Sequence, residues 1–189
     1  MKFVQPIRSK EKIEQMKEEL RKNGTRDELL FTFGINVGFR ISDILKLKVK
    51  DVLNYDRTVK SHIEIKEEKT KKHKRCKINS VLADELYRYT KNMDLEDYIF
   101  KSRNGKNRPI TRVRAYSIIN NAAKNIGLGE GIGIGTHTLR KTFAYWLYQQ
   151  NHDIALLQKL LNHSSPSITL RYIGINQDIL DNALDNFSL

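Results

Sequence analysis

Apolar residues recur every three or four positions over most of this chain, the spacing that amphipathic α-helices require. The clearest run follows Gly135, where Leu139, Phe143, Trp146 and Leu147 share one face and are expected in the core. The same pattern predicts helices in residues 41–52 and 81–91, and others that begin at the N-caps Ser9, Thr25, Thr111, Thr136, Asp153 and Ser165. Gly24 and Gly38 are placed to end the first two helices.

Residues 62–79 follow a different period. Ile63 and Ile65 alternate with polar residues, and so do Cys76 and Ile78, which predicts two strands. Between them, residues 66–75 are too polar for a core and suit the tip of a β-hairpin. The predicted fold is therefore α+β, mainly α-helical, with a small antiparallel β-hairpin.

Length and composition favour a cytoplasmic protein of one domain, or of one domain and a small appendage. The chain has 189 residues, enough for a sizeable core, and no apolar run approaches the roughly 18 residues of a membrane span. The first residues lack the apolar segment of a signal peptide. Cys76 is the single cysteine, which excludes an intramolecular disulfide and a cysteine-pair metal site. Neither a P-loop nor a dinucleotide fingerprint occurs, so we expect no nucleotide cofactor.

The net charge favours a protein that binds nucleic acid. The chain carries 34 Lys and Arg against 22 Asp and Glu, a net charge of +12. Such an excess is typical of proteins that neutralise phosphates, although a merely basic surface would share it. The predicted hairpin is either a solvated loop or a basic finger that contacts a DNA backbone. Candidate DNA-contact residues are Lys71, Lys72, Lys74, Arg75, Arg103, Lys106, Arg108, Arg112 and Arg114.

A few polar side chains stand out against this helical background. His137 and Arg140 lie one helical turn apart on one face. His163 precedes Tyr172 by nine residues. Arg40 lies between two apolar helices, where its burial requires a bound anion or a carboxylate such as Asp43. Asp51 is an equally suitable partner. Taken singly, the histidines could be helix caps and the tyrosine a half-buried surface residue.

Four motifs occur together in order: GFRISDILKLKVKDV, the Lys69–Thr70 pair in the hairpin, HTLRKTFA and LLNHSSPSITLRY. Together they resemble the tyrosine recombinase family of phage integrases, from about Thr25 to Tyr172. One His-x-x-Arg motif would be weak, but four in order are specific. The resemblance implies the catalytic domain of DNA breaking-rejoining enzymes in residues 25–172. Residues 1–24 would form a lead-in and helix, too short for a separate core-binding domain, and residues 173–189 a helical tail.

For that family the implied chemistry is DNA cleavage and rejoining through a 3′-phosphotyrosine intermediate, without metal or ATP. Tyr172 would be the nucleophile. Arg40 and Arg140 would bind the two non-bridging phosphate oxygens, since guanidinium groups match that fork geometry. The full implied catalytic set is Arg40, Lys69, His137, Arg140, His163 and Tyr172.

The remaining three residues would handle protons and hydrogen bonds. Lys69 would donate a proton to the departing 5′-oxygen, with Lys66, Lys71 and Lys72 as neighbouring alternatives. The resemblance implies that His137 is the general base toward Tyr172, and that His163 donates a hydrogen bond to the phosphate.

The implied partners are double-stranded DNA and further copies of the chain, as a dimer or tetramer on DNA, with an accessory DNA-binding protein as another candidate. No membrane partner is expected. The tail either packs on a neighbouring protomer or folds back on its own domain. Two other functions remain open: a type I topoisomerase-like relaxing enzyme with the same chemistry, and a non-catalytic DNA-binding regulator on the same fold.

Overall fold

Helices form most of the fold, as the computed structural model shows for residues 4–129 and 133–174. Within these ranges the chain has nine helices and a single hairpin. The elements are α1 (Lys10–Lys22), α2 (Thr25–Val37), α3 (Ile41–Ile44), α4 (Val49–Val52), β1 (His62–Lys66), β2 (His73–Lys77), α5 (Ser80–Thr90), α6 (Arg112–Asn125), α7 (Thr136–Asn151), α8 (Ile154–Leu161) and α9 (Pro166–Ile173). In the part of the chain described here, no helix is both long and apolar enough to cross a bilayer. The predicted tail falls almost wholly outside these residues.

Side-chain caps begin four of the helices where the sequence predicts them. Ser9 accepts a hydrogen bond from the Lys12 amide (3.1 Å). Thr111, Asp153 and Ser165 cap α6, α8 and α9 in the same way. Each cap satisfies an amide at the helix start that has no partner within the helix.

The other two predicted caps are wrong by one residue. Gly24 and Gly135 occupy the N-cap positions of α2 and α7, so Thr25 and Thr136 are the first residues of those helices. Gly24 has a positive φ of 123° that a threonine would rarely adopt, and a Cβ atom at position 135 would lie 2.8 Å from Tyr116 Cε2.

Most of the structure packs around one hydrophobic core. Helix α2 lies at its centre, with Leu29, Leu30 and Phe33 at most 1% exposed. It packs against α1, α5 and α7. A smaller cluster centred on Ala144 and Leu157 joins α7, α8 and α9. The second cluster fixes α9, and with it the C-terminal part of the candidate site, against α7.

The structure corrects three expectations about packing. The apolar spacing after Thr111 favours a buried Val113, but this residue is 75% exposed, because it projects from the outer face of α6. Trp146 is half-buried and donates its indole N–H to the Ile7 carbonyl (3.0 Å). Residues 41–52 form two short helices, because Leu47 and Val49 instead hydrogen-bond to the backbone of residues 97–99.

The hairpin has a shorter tip than the sequence suggests. β2 already begins at His73, and Ile65 pairs with Lys74 in the antiparallel register. The Glu67 amide donates to the Lys72 carbonyl (2.9 Å), which closes the turn. Since side chains alternate along a strand, Ile63, Ile65 and Glu67 share the inward face. The hairpin thereby carries a carboxylate and, at Lys74, an amine toward the interior.

Gly34 allows the close approach of α2 and α7. A Cβ atom at this position would lie 2.6 Å from Leu139 Cδ1 and 2.8 Å from Leu139 Cβ. We expect Gly34→Ala to lower the free energy of unfolding by about 1–3 kcal/mol, since overpacking exceeds the gain in helix propensity. Urea denaturation measures the change, with exposed Glu18→Ala on α1 as the control. An unchanged or increased stability for Gly34→Ala would contradict this packing.

Candidate active site

Two arginines from distant parts of the chain define the site. Arg40 occupies the N-cap position of α3 and follows buried Phe39. Gly38, one residue earlier, ends α2 with a φ of 62°. Arg140 comes from the second turn of α7 and is 3% exposed. Its Nη2 donates to the Leu161 carbonyl at the end of α8 (2.6 Å). Packing of α2 against α7 thus brings together the two guanidinium groups.

A buried carboxylate joins the two arginines. Glu67 Oε1 lies 2.7 Å from Arg40 Nη1 and 3.8 Å from Arg140 Nη1. Its Oε2 accepts hydrogen bonds from Thr70 Oγ1 (2.6 Å) and Asn162 Nδ2 (3.1 Å). Burial works to raise the pKa of the Glu67 carboxyl, but Thr70, Arg40 and Asn162 together outweigh it and lower the pKa. Glu67 is therefore ionised at neutral pH.

The partner of Arg40 differs from both carboxylates that the sequence suggested. Arg40 pairs with Glu67. Asp43 Oδ1 instead accepts the Glu68 amide (3.0 Å), and Asp51 Oδ2 accepts the Lys48 amide (2.8 Å). Both carboxylates hold backbone near the site, and neither replaces Glu67.

Tyr172 lies in the site of its own chain. It belongs to the last turn of α9, and its buried hydroxyl is close enough to Arg140 for the guanidinium to affect its ionisation. Burial raises the pKa of the Tyr172 phenol, while the positive charges of Arg140 and Arg40 oppose that shift. The phenol is consequently protonated at neutral pH, and any nucleophilic use of it requires a proton acceptor.

Two histidines flank these groups. The His163 ring lies 5.0 Å from the Tyr172 ring, edge to face, and its Nδ1 is 3.1 Å from Thr169 Oγ1. Burial, then the charges of Arg140, Arg40 and Lys74, lower the pKa of His163 to about 4. His137 is on the first turn of α7, and its pKa is lowered by partial burial and then by Arg140. Both imidazoles are neutral at neutral pH, so each can donate through one nitrogen and accept through the other.

The hairpin lysines occupy contrasting positions. Lys69 is exposed in the turn. Lys74 is 9% exposed, with its amine 5.0 Å from the centre of the Phe39 ring. Among the described residues the amine has no hydrogen-bond acceptor. Burial, then the charge of Arg140, lower its pKa to about 8.

Sequence reasoning placed Lys74 among surface DNA contacts and missed Glu67. The alternation of Ile63 and Ile65 extends to position 67, a signal that the surrounding charged run obscured. The other candidate DNA-contact residues are exposed: Lys71, Lys72, Arg75, Arg103, Lys106, Arg108, Arg112 and Arg114. Arg103 and Arg114 line a pocket of about 450 Å³ together with Arg26.

Arg112 connects the basic surface to the site, because its charge contributes to the lowered pKa of His137. Within residues 4–129 and 133–174, no group of three or more His, Cys, Asp or Glu side chains is arranged to hold a metal ion. The charged groups gathered here are thus guanidinium, ammonium and a single central carboxylate, an arrangement suited to binding a phosphate.

Known proteins share both the sequence and the fold. Residues 8–178 match the model of the phage integrase family. A probable integrase/recombinase of Bacillus subtilis (strain 168), YoeC, is 53% identical over 178 residues, which cover 94% of this chain and 93% of that protein. The tyrosine recombinase XerA of Pyrococcus horikoshii is 29% identical over 167 residues, 87% of this chain and 55% of XerA. The chain therefore spans nearly all of one relative and about half of the other.

Solved structures agree with the predicted fold. A crystal structure of XerA recombinase superposes with a TM-score of 0.73 at 21% identity, over 98% of this chain and 65% of that one. XerH site-specific recombinase, in a post-cleavage complex with palindromic difH substrate, superposes with a TM-score of 0.71 at 23% identity, over 98% of this chain and 54% of that one. These likenesses confirm the mainly α-helical catalytic fold with its small hairpin. Sequence and fold together show that the chain belongs to the phage integrase family of tyrosine recombinases.

Proposed function

We propose that this protein is a site-specific DNA recombinase that cuts and rejoins DNA through a covalent 3′-phosphotyrosine intermediate. One observation carries the proposal: the Tyr172 hydroxyl lies beside Arg140 in its own chain, with Arg40 on the other side of Glu67. A nucleophile and two anion-binding groups thus converge without help from another protomer.

The arginines would stabilise the transition state. Attack on phosphorus spreads negative charge over the non-bridging oxygens, and two guanidinium groups can each donate two parallel hydrogen bonds to them. Arg40 and Arg140 are held by the protein before DNA arrives, through Glu67 and the Leu161 carbonyl. We infer that they supply the positive charge for this step and that the reaction needs neither metal ion nor ATP. The ester bond to Tyr172 keeps the energy of the broken phosphodiester for rejoining.

The neutral histidines suit proton handling. Tyr172 must lose its proton as it attacks, and we assign His137 as the general base that accepts it. His163 packs against the Tyr172 ring, and we assign its imidazole as a hydrogen-bond donor to the phosphate. The lowered pKa values of both residues support these roles, because a neutral imidazole has one nitrogen that can accept a proton and one N–H that can donate a hydrogen bond.

The departing 5′-oxygen needs a proton, and we assign Lys69 as its donor. Lys69 lies two residues after Glu67, in the hairpin turn, where its amine is exposed to approaching DNA. Lys74 would act differently. Its buried amine, with a hydrogen-bonding capacity that no described residue uses, adds a positive charge beside the arginines at neutral pH.

The substrate we propose is double-stranded DNA, bound by the exposed basic residues around the hairpin and α6 and cut by protomers assembled as a dimer or tetramer. The net charge of +12 supports this, since neutralised phosphates release counterions. A non-catalytic regulator is disfavoured because the complete set of reactive groups is retained. A relaxing topoisomerase would use the same groups, and relaxation of supercoiled plasmid lacking a selected site would identify it.

Tyr172 can be tested without knowing the target site. A library of nicked duplexes with randomised bases around the nick traps cleavage, because the short product diffuses away and rejoining fails. We expect the wild-type protein to form DNA adducts that survive denaturing electrophoresis, and Tyr172→Phe to form none. Tyr55→Phe, which alters a tyrosine that is 95% exposed, is the matched control and should behave as wild type. Sequencing the trapped DNA identifies the preferred site.

Adducts formed equally by Tyr172→Phe would assign the nucleophile elsewhere. Salt-sensitive DNA binding by the wild-type protein with no adduct on any duplex would favour the regulator.

A sulfur substitution tests the proton donor. When sulfur replaces the 5′-bridging oxygen of the selected duplex, the leaving thiolate needs no proton. We expect Lys69→Met to cut the oxygen duplex about 100-fold more slowly, the size typical of general-acid catalysis. It should cut the sulfur duplex within about tenfold of the wild-type rate. Lys74→Met should remain slow on both duplexes. Rescue of Lys74→Met and not of Lys69→Met would make Lys74 the donor.

Because the amine of Lys74 is buried, we expect the free energy of unfolding to depend on pH. Its pKa is about 8 in the folded protein and near 10.4 in the unfolded chain. Below pH 8 the amine is charged in both states, and its burial opposes folding. Between the two values the unfolded chain binds more protons, so this penalty disappears as the pH rises.

We therefore expect Lys74→Met to be more stable than wild type by roughly 3 kcal/mol at pH 7, with the difference shrinking toward pH 10. Urea unfolding at both pH values measures it. Lys72→Met, which alters an exposed lysine two residues earlier, should show no such trend. A Lys74→Met variant less stable than wild type at pH 7 would contradict the inferred burial cost.

A further inference from the structure

Before DNA binds, the positive charges gathered in the site repel one another. Arg40 and Arg140 point toward one position from different helices, and Lys74 adds a third positive charge nearby. The pKa of Arg140 is lowered by burial, and the charge of Arg40 adds to that effect. Like charges in a buried space separate or attract an anion unless a counterion is built in. Glu67 is that counterion, with a side chain that is 0% exposed.

The carboxylate of Glu67 connects four parts of the fold. Oε1 contacts Arg40 at the start of α3 and Arg140 on α7. Oε2 accepts from Thr70 in the hairpin turn and from Asn162 in the loop between α8 and α9. Thr70 directly follows Lys69, and Asn162 directly precedes His163. Four catalytic residues of the proposed reaction are thus either bound to Glu67 or adjacent to a residue that binds it.

The contacts leave the arginines free to accept a substrate. Arg40 Nη1 pairs with Glu67 Oε1 at 2.7 Å, whereas Arg140 Nη1 lies 3.8 Å away, beyond hydrogen-bond distance. A guanidinium group has five N–H donors, so each arginine keeps N–H groups for phosphate oxygens. A carboxylate in this position would hold the guanidinium groups in place and reduce their attraction for stray anions.

We propose that Glu67 is a positioning residue of the strand-transfer reaction: it fixes the separation of Arg40 and Arg140 and, as their counterion, weakens their binding of simple anions. The inference rests on the proposed function for its catalytic part. Its electrostatic part concerns the arginine pair alone and is measurable without DNA.

The test compares Glu67→Gln with wild type in two measurements. Gln keeps the size of the side chain and one accepting oxygen but removes the charge. The first measurement is thermal unfolding in increasing sodium sulfate at constant ionic strength, since a ligand of the folded state raises the melting temperature. We expect the apparent sulfate affinity of Glu67→Gln to rise at least fivefold. The double variant Arg40→Ala, Glu67→Gln should lose that rise.

The second measurement is the rate of adduct formation at saturating concentrations of the selected duplex. Here we expect Glu67→Gln to be at least tenfold slower, with its affinity for the duplex equal to or above that of wild type. Glu67→Asp restores the charge on a shorter side chain, so its sulfate affinity should return toward wild type while cleavage stays slow. Glu68→Gln is the matched control: the adjacent carboxylate is exposed and pairs with Lys46 (3.0 Å), and both measurements should be unchanged.

Two results would overturn the proposal. Sulfate affinity in Glu67→Gln equal to that of wild type would show that Glu67 does not act as the counterion. Cleavage at the wild-type rate would show that it does not position the arginines. Should Glu67→Gln fail to fold, the cleavage rate of Glu67→Asp decides whether Glu67 positions the arginines. If the wild-type protein forms no adduct, the proposed function fails, and the sulfate comparison still decides the electrostatic part.

Discussion

The structure depends on keeping two guanidinium groups together in a buried space without DNA. Arg40 and Arg140 would repel each other there, and the Glu67 carboxylate between them offsets that repulsion. A lone buried charge is costly, whereas a buried charge with an oppositely charged partner is better tolerated. The hairpin that carries Glu67 is consequently part of the site. Its inward face directs Glu67 and Lys74 into the site, while Lys69, Lys71 and Lys72 at the tip remain exposed.

The helical packing serves this cluster. Gly34 allows α2 and α7 to approach closely, and Gly38 turns the chain so that Arg40 emerges at the start of α3. The smaller core of α7, α8 and α9 then places Tyr172 beside Arg140, while the end of α8 holds Arg140 through the Leu161 carbonyl. Arg40 and Tyr172, which are 132 positions apart in sequence, therefore lie in the same site of one chain. The proposed cleavage therefore uses a tyrosine of the same protomer.

Local patterns predicted the elements well because their causes are local. A Ser, Thr or Asp side chain caps its own helix, so Ser9, Thr111, Asp153 and Ser165 were identifiable from sequence. Thr25 and Thr136 were misplaced by one residue, since the glycine before each occupies the N-cap position. The predicted burial of Val113 and Trp146 was wrong for another reason. Periodicity identifies an apolar face, but only the neighbouring elements decide how completely that face is covered.

Four motifs in order determined the family, the fold and the candidate reactive groups, because each motif combines a helix signal with a side chain suited to phosphate chemistry. Tertiary structure alone decided which charges meet. Asp43 and Asp51 were reasonable partners of Arg40 by proximity along the chain, yet the hairpin delivers Glu67 instead, and it buries Lys74 while leaving Lys69 exposed. The physical reason is that burial and pairing of charge arise from long-range packing, whereas caps, periodicity and motif order are written in consecutive residues.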